Sequence, residues 1–185
     1  RSIEEPIDPY EVDDDILALM SWQITEGHEQ PNNGSCCITQ DNLPLLHDLK
    51  ERLHRVVPRG TTGSVCPAKM SRKGVMKTPY LRFSSVEYRR LLESLGYTWG
   101  RLSSAKAFPA WFLQLSNRQL RDALRIVFDA EGSVGEGSVE LTTKSPELAI
   151  QIMGENFGGE ETYFHSLNVT MLSLMIAREI KLPAE

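Results

Sequence analysis

The chain has 185 residues, is 41% apolar and carries a net charge of −5 at neutral pH. It is long enough to bury a full core, and no apolar run nears the roughly 20 residues that span a bilayer, so no membrane partner is expected. Cys36, Cys37 and Cys66 are an odd set without C-x-x-C spacing, the four histidines lack zinc-ligand spacing, and no signal-peptide pattern opens the chain. These features predict a reduced, intracellular protein, and cytoplasmic and organellar placements both fit.

Charge is spread unevenly. Residues 1–30 hold one base and nine acids, 31–58 three of each, 59–106 ten bases and two acids, and 107–185 six bases and eleven acids. Half of all lysine and arginine thus falls in one 48-residue block of charge +8. Such a block is either the footprint of phosphate contacts or a solvated basic face.

In chain order, residues 1–12 are acidic with two prolines and read as a lead-in arm. Asp13-Asp14-Asp15 place negative charge where a helix N-terminus favours it, and an apolar run ends that helix at Glu26-Gly27. Short strands over 27–30 and 35–40 flank Pro31-Asn32-Asn33-Gly34, where Asn-Gly signals a hairpin. A helix over 43–57 follows, then strands over 62–70 and 76–83 around Ser71-Arg72-Lys73-Gly74. Ser84-x-x-Glu87 is a capping box that opens a helix over 86–95. A connector over 97–116 ends at Ser116-x-x-Gln119, a second capping box, before a helix ending at Glu131. A hairpin over 133–137 and 138–143 leads to Ser145-Pro146-Glu147, an N-cap followed by proline at the first helical position, and to a helix ending near 157–159. A strand over 163–166 and a helix over 169–180 complete the pattern. The expected organisation is therefore an arm over 1–12, a first half over 13–96, the connector, and a second half over 117–185.

Two stretches 105 residues apart carry the same pattern: Leu19-Met20-Ser21-Trp22-Gln23-Ile24-Thr25-Glu26-Gly27 and Leu124-Arg125-Ile126-Val127-Phe128-Asp129-Ala130-Glu131-Gly132. Each is a mostly apolar helical run ending in a carboxylate and a glycine, then a hairpin and a helix. Acids are disfavoured near a helix C-terminus, so two at matching places ask for a reason. Ala18, Ser21 and Thr25 on one helix and Ala123 and Ala130 on the other are small enough for close packing. Helices packed this way would bring Glu26 and Glu131 together, and two carboxylates placed together call for a cation.

The arrangement resembles the LAGLIDADG homing endonucleases in their single-chain, two-motif form. The resemblance implies an α+β fold of two pseudo-symmetric αββαββα halves packed through the motif helices, with antiparallel sheets forming a DNA-binding saddle. It implies a site-specific endonuclease that makes double-strand breaks using Mg2+ or another divalent cation held by Glu26 and Glu131. Gln40, at the end of the second strand, matches the family position that orients a water, and Leu141-Thr142-Thr143-Lys144 is its counterpart in the second half. Lys106, in Ser103-Ser104-Ala105-Lys106-Ala107-Phe108-Pro109, matches the family lysine near the scissile phosphate. The expected partner is double-stranded DNA with a long asymmetric target, bound by a monomer. Lys69, Arg72, Lys73, Lys77, Arg82 and Lys144 are the expected DNA contacts, because alternate strand residues face the groove and the 71–74 turn reaches the backbone.

The chain departs from the family pattern in places. Ile126 stands where a small residue is preferred, and Asp129 holds an acidic position filled by Ile24 in the first copy. The second half is shorter by about one strand near 158–161, and Lys181 is only a weak substitute for a second lysine. Residues 106–116 and 141–148 look like endonuclease domains that sit inside inteins. With no splice-junction Cys or Ser at the start and no terminal His-Asn, the chain itself is not expected to splice, and intron-encoded or freestanding origins also fit. The competing readings are an RNA maturase or DNA-binding protein of the same fold that has lost cleavage, and a structural or protein-binding remnant, hinted at by the −8 charge of residues 1–30.

Overall fold

Helix α1 (Asp14–Glu26) starts where Asp13 caps it, the Oδ1 atom accepting from the amides of Asp15 at 2.9 Å and Ile16 at 3.1 Å. Its acids are partnered: Asp14 takes Arg118 at 2.9 Å, and Asp15 takes Arg52 at 2.8 Å and Arg55 at 2.6 Å. These pairs tie the start of α1 to the two helices it packs against, α2 (Leu43–Val56) and α4 (Asn117–Glu131). Leu17, Leu19, Met20, Ser21, Trp22, Gln23 and Ile24 are all buried, so α1 is a central helix, covered on most of its circumference. The computed structural model describes residues 9–58, 63–70, 76–135 and 138–154.

Strand β1 (Gly27–Glu29) pairs with β2 (Ser35–Thr39), and β2 with β6 (Tyr80–Ser84), which in turn pairs with β3 (Ser64–Cys66). All these pairings are antiparallel. Alternation sends Cys36, Ile38, Leu81 and Phe83 into the core, under α1 and α2, and leaves Ser35, Cys37, Thr39, Tyr80, Arg82 and Ser84 on an open polar face. Cys36 is accordingly buried in the core, and Cys37 lies half-buried on the open face.

The strand expected over 62–70 ends at Cys66 and resumes as β4 (Lys69–Met70), and the one expected over 76–83 is divided into β5 (Met76–Lys77) and β6. Pro67 and Pro79 sit in the breaks, where a residue without an N–H cannot extend the ladder. The hairpin expected around Pro31-Asn32-Asn33-Gly34 is present as the antiparallel pair β1–β2. Asn33 Oδ1 accepts from the Ser35 amide at 2.8 Å, and Gly34 is needed because a Cβ there would lie 2.3 Å from the Ser85 carbonyl oxygen. Helix α3 (Val86–Ser94) is capped by Ser85, which accepts from the Tyr88 amide at 3.1 Å, one residue later than the expected Ser84 box.

The connector is core rather than tether. Tyr97, Trp99, Phe108, Phe112 and Leu115 are buried, and Tyr10 stacks on Trp111 with ring centroids 4.7 Å apart. Ser116 caps α4 as expected, but Gln119 completes no reciprocal box; its amide donates instead to Val12 O at 2.6 Å and Asp14 Oδ1 at 2.8 Å. Helix α4 leads into the hairpin β7 (Gly132–Gly135) and β8 (Ser138–Leu141), then α5 (Pro146–Gly154), capped by Ser145.

The order helix, two antiparallel strands, helix thus occurs twice, and the α+β class with antiparallel sheets agrees with expectation. The elements expected at 163–166 and 169–180, the end of the helix near 157–159, the shortening near 158–161, and Lys181 lie outside the described residues. Among the described residues, no helix is long and apolar enough to cross a membrane.

Candidate active site

Both acid–glycine motifs end their helices in the same way. Gly27 leaves α1 with φ −79° and ψ 148°, its amide bonded to Gln23 O; Gly132 leaves α4 with φ −88° and ψ 153°, its amide bonded to Phe128 O. The chain turns from helix to strand within one residue, so a Cβ would lie 2.3 Å from Gln23 O in the first case and 2.4 Å from Phe128 O in the second. Glycine is required by this close approach, at angles that any residue can otherwise adopt. The following hairpins are also in matching register, with Gly27 opposite Ile38 and Gly132 opposite Leu141.

Helices α1 and α4 pack against each other. Ser21 and Ala123 are fully buried, and the Ser21 hydroxyl is satisfied within its own helix by Leu17 O at 2.8 Å, which frees the surface for close packing. Ile126 is accommodated, half-buried against the core, and Asp129 lies exposed beside Arg125 at 3.8 Å.

Glu26 and Glu131 are each half-buried. Burial, and then the charge of Asp41, push Glu26 above the ordinary carboxylate range. Burial also pushes Glu131 up and a hydrogen bond with Thr143 opposes it; the nearby Glu26 charge raises it again, against Lys106 and Lys144. Glu131 therefore feels the Glu26 charge, and both acids sit in partly desolvated places where oxygen ligands lack full hydration. That donor chemistry fits a hard divalent cation such as Mg2+, which takes one or two carboxylates and completes its shell with water and phosphate oxygens. Among the described residues, no group of three or more His, Cys, Asp and Glu is placed to bind a metal, so the pair would depend on that outside oxygen.

Lys106 is buried, with 3% of its side-chain surface exposed. Its Nζ donates to Gln23 O at 2.8 Å and Gly27 O at 2.7 Å, and lies 3.7 Å from Glu29 Oε1. Burial pulls the pKa of its ammonium below the usual lysine value, against the charge of Glu29. Glu29 is completely enclosed: the Gln23 amide donates to it at 2.7 Å, and Tyr97 Oη and the Gly100 amide donate as well. Sequence reasoning passed over Glu29, Gln23 and Tyr97. The available signal was a glutamate in a strand flanked by a core helix.

The other predicted residues are dispersed. Gln40 is half-exposed at the end of β2, its Oε1 accepting from the Asp41 amide at 2.7 Å. Lys144 is exposed, three residues past the end of the last paired strand. Lys69 and Lys77 are exposed and directly opposed across β4–β5, beside the exposed pair Met70 and Met76. Arg82 projects from the open face between Cys37 and Ser64. Arg72 and Lys73 lie outside the described residues. His28 is exposed, whereas Trp22 and Trp99 are packed in the core.

Neither a family model nor a curated protein sequence matches the chain.

Proposed function

We propose that this chain is a divalent-metal-dependent, site-specific DNA endonuclease of the LAGLIDADG type, with its two halves related by pseudo-twofold symmetry through α1 and α4. The observation that carries the reading is that Glu26 and Glu131 end two packed helices sharing one cap geometry, near enough for the Glu26 charge to raise Glu131. A structural role gives no account of why two half-buried carboxylates should end both of the packed helices.

Glu26 and Glu131 would hold the cation, which when bound supplies charge stabilisation for in-line displacement at a phosphate. Thr143, hydrogen-bonded to Glu131, fixes that carboxylate, and Lys144 leaves a positive charge beside it for the phosphate. The open face of β2 and β6, with Cys37, Thr39, Tyr80 and Arg82, offers the mixed polar surface that reads base edges. Lys69 and Lys77 support phosphate contact independently. Like charges directly opposite on a ribbon repel, and an anion between them relieves the repulsion.

The decisive experiment is incubation of a supercoiled plasmid library with the protein in Mg2+ or EDTA, alongside Glu26→Gln and Glu131→Gln. Metal-dependent nicking and linearisation, lost in both variants with DNA binding retained, is the expected result. Binding without cleavage in the parent protein would favour the maturase or DNA-binding reading. Cleavage that survives either substitution would sink the two-acid mechanism.

A further inference from the structure

The chemistry of Lys106 is better explained by what it already holds than by a free phosphate. An ammonium has three N–H donors. Two go to backbone oxygens of the last turn of α1 and the residue after it, Gln23 O and Gly27 O, and the third direction meets Glu29. Glu26 lies in the segment bracketed by those two oxygens. The same residue grips the second half through its backbone: Lys106 O accepts from the Ser145 hydroxyl, and Ser145 Oγ in turn caps α5 by accepting from the Leu148 amide at 3.2 Å. Two residues on, Phe108 N and O both bond the Gln151 side chain on α5, at 3.0 and 2.8 Å.

We infer that Lys106 and Glu29 form a buried positioning clamp that fixes the Glu26 end of α1 against the second half, with Lys106 acting through the helix end rather than on the substrate. Glu29 is the counter-charge that allows an ammonium to be kept out of water, and Gln23, Tyr97 and Gly100 hold Glu29 in turn. The clamp is one-sided. Gly132 has the same cap as Gly27, yet the bonds of the Lys106 ammonium go to the α1 end alone. Its functional consequence rests on the proposal that Glu26 and Glu131 bind a divalent cation; the clamp itself does not.

That one-sidedness supplies an internal control. Amide hydrogen exchange at Gly27 and Gly132 is measured in the parent protein, in Lys106→Met and in Glu29→Gln, the milder change should Lys106→Met fail to fold. Leu53→Ala, destabilised within α2, calibrates general loosening. The expected result is that protection at Gly27 falls about tenfold more than at Gly132 in Lys106→Met, and in the same sense in Glu29→Gln, whereas Leu53→Ala moves both alike. Equal loss at both glycines, or loss at neither, overturns the clamp. Mn2+ titrations of the same proteins test its consequence. Affinity should fall about tenfold in Lys106→Met, the scale for groups that orient metal ligands, and hold in Leu53→Ala. Unchanged Mn2+ affinity alongside lowered Gly27 protection overturns the positioning role. A parent protein that binds no Mn2+ refutes the metal site and leaves the exchange comparison to decide the clamp.

Discussion

Asp41 and Lys144 stand at equivalent places beside the two acids and carry opposite charge. Each lies three residues past the strand residue that faces the glycine after its acid, Ile38 opposite Gly27 and Leu141 opposite Gly132. Asp41 adds negative charge near Glu26, and Lys144 adds positive charge near Glu131. Asp41→Asn is expected to weaken Mn2+ binding and Lys144→Asn to tighten it, each by about two- to fivefold, the scale of one exposed charge. Lys144→Asn should also slow cleavage of one strand more than the other, as read with strand-specific end labels. Equal effects on both strands would show that the two acids serve them interchangeably.

The raised pKa of Glu131 has a thermodynamic sign. Its folded-state value lies above the ordinary carboxylate value, so the folded state prefers the protonated form. Stability is therefore lost as pH rises from the ordinary carboxylate value through the raised one. Without divalent cations, Glu131→Gln should melt higher than the parent at pH 7, and the gap should close as pH falls below the ordinary glutamate value of about 4.3. Mg2+ should raise the midpoint of the parent and leave the variant nearly unmoved. A variant that melts lower at pH 7 would mean the carboxylate is satisfied in the free protein.

The opposed lysines of the β4–β5 ribbon set a salt prediction. Each phosphate contact contributes about 0.9 to the slope of log affinity against log salt. Lys69→Gln with Lys77→Gln should flatten that slope by roughly 2. A slope identical to the parent's would place the ribbon away from DNA.

Gly27→Ala and Gly132→Ala each drive a methyl group into a backbone carbonyl, at 2.3 and 2.4 Å. Each should cost about 2 kcal/mol or more, the scale of a forced overpacking. Chemical denaturation with unchanged m-values checks this. A loss under about 0.5 kcal/mol would mean that the helix-to-strand corner opens without resistance.

Much of the secondary structure was legible because its signals are local. Asp13-Asp14-Asp15 mark the start of α1, Ser116 and Ser145 cap the helices they were expected to cap, and the acid–glycine endings fall where the motif puts them. The strand breaks at Pro67 and Pro79 are invisible to alternation, which runs on across residues that cannot donate to a ladder. The shift from Ser84 to Ser85 is a one-residue ambiguity between adjacent serines, decided by which one leaves the sheet. Glu29 was illegible for a different reason. Its burial depends on Gln23, Tyr97, Gly100 and Lys106, three of them far along the chain, and nothing local distinguishes it from a solvated strand acid. Lys106 stood out through its surrounding sequence, but its direction is set by the helix end it meets.

The clamp also has a place in time. Gln23, Gly27, Glu29, Tyr97, Gly100 and Lys106 all precede α4 in the chain. On a ribosome, where chains fold from the N-terminus onward, the Glu26 end of α1 can be locked before Glu131 has been synthesised. The later helix then docks onto a finished half-site, so a nascent chain released after residue 108 would already carry one acid set in place and an uncovered face of α1 waiting for its mate.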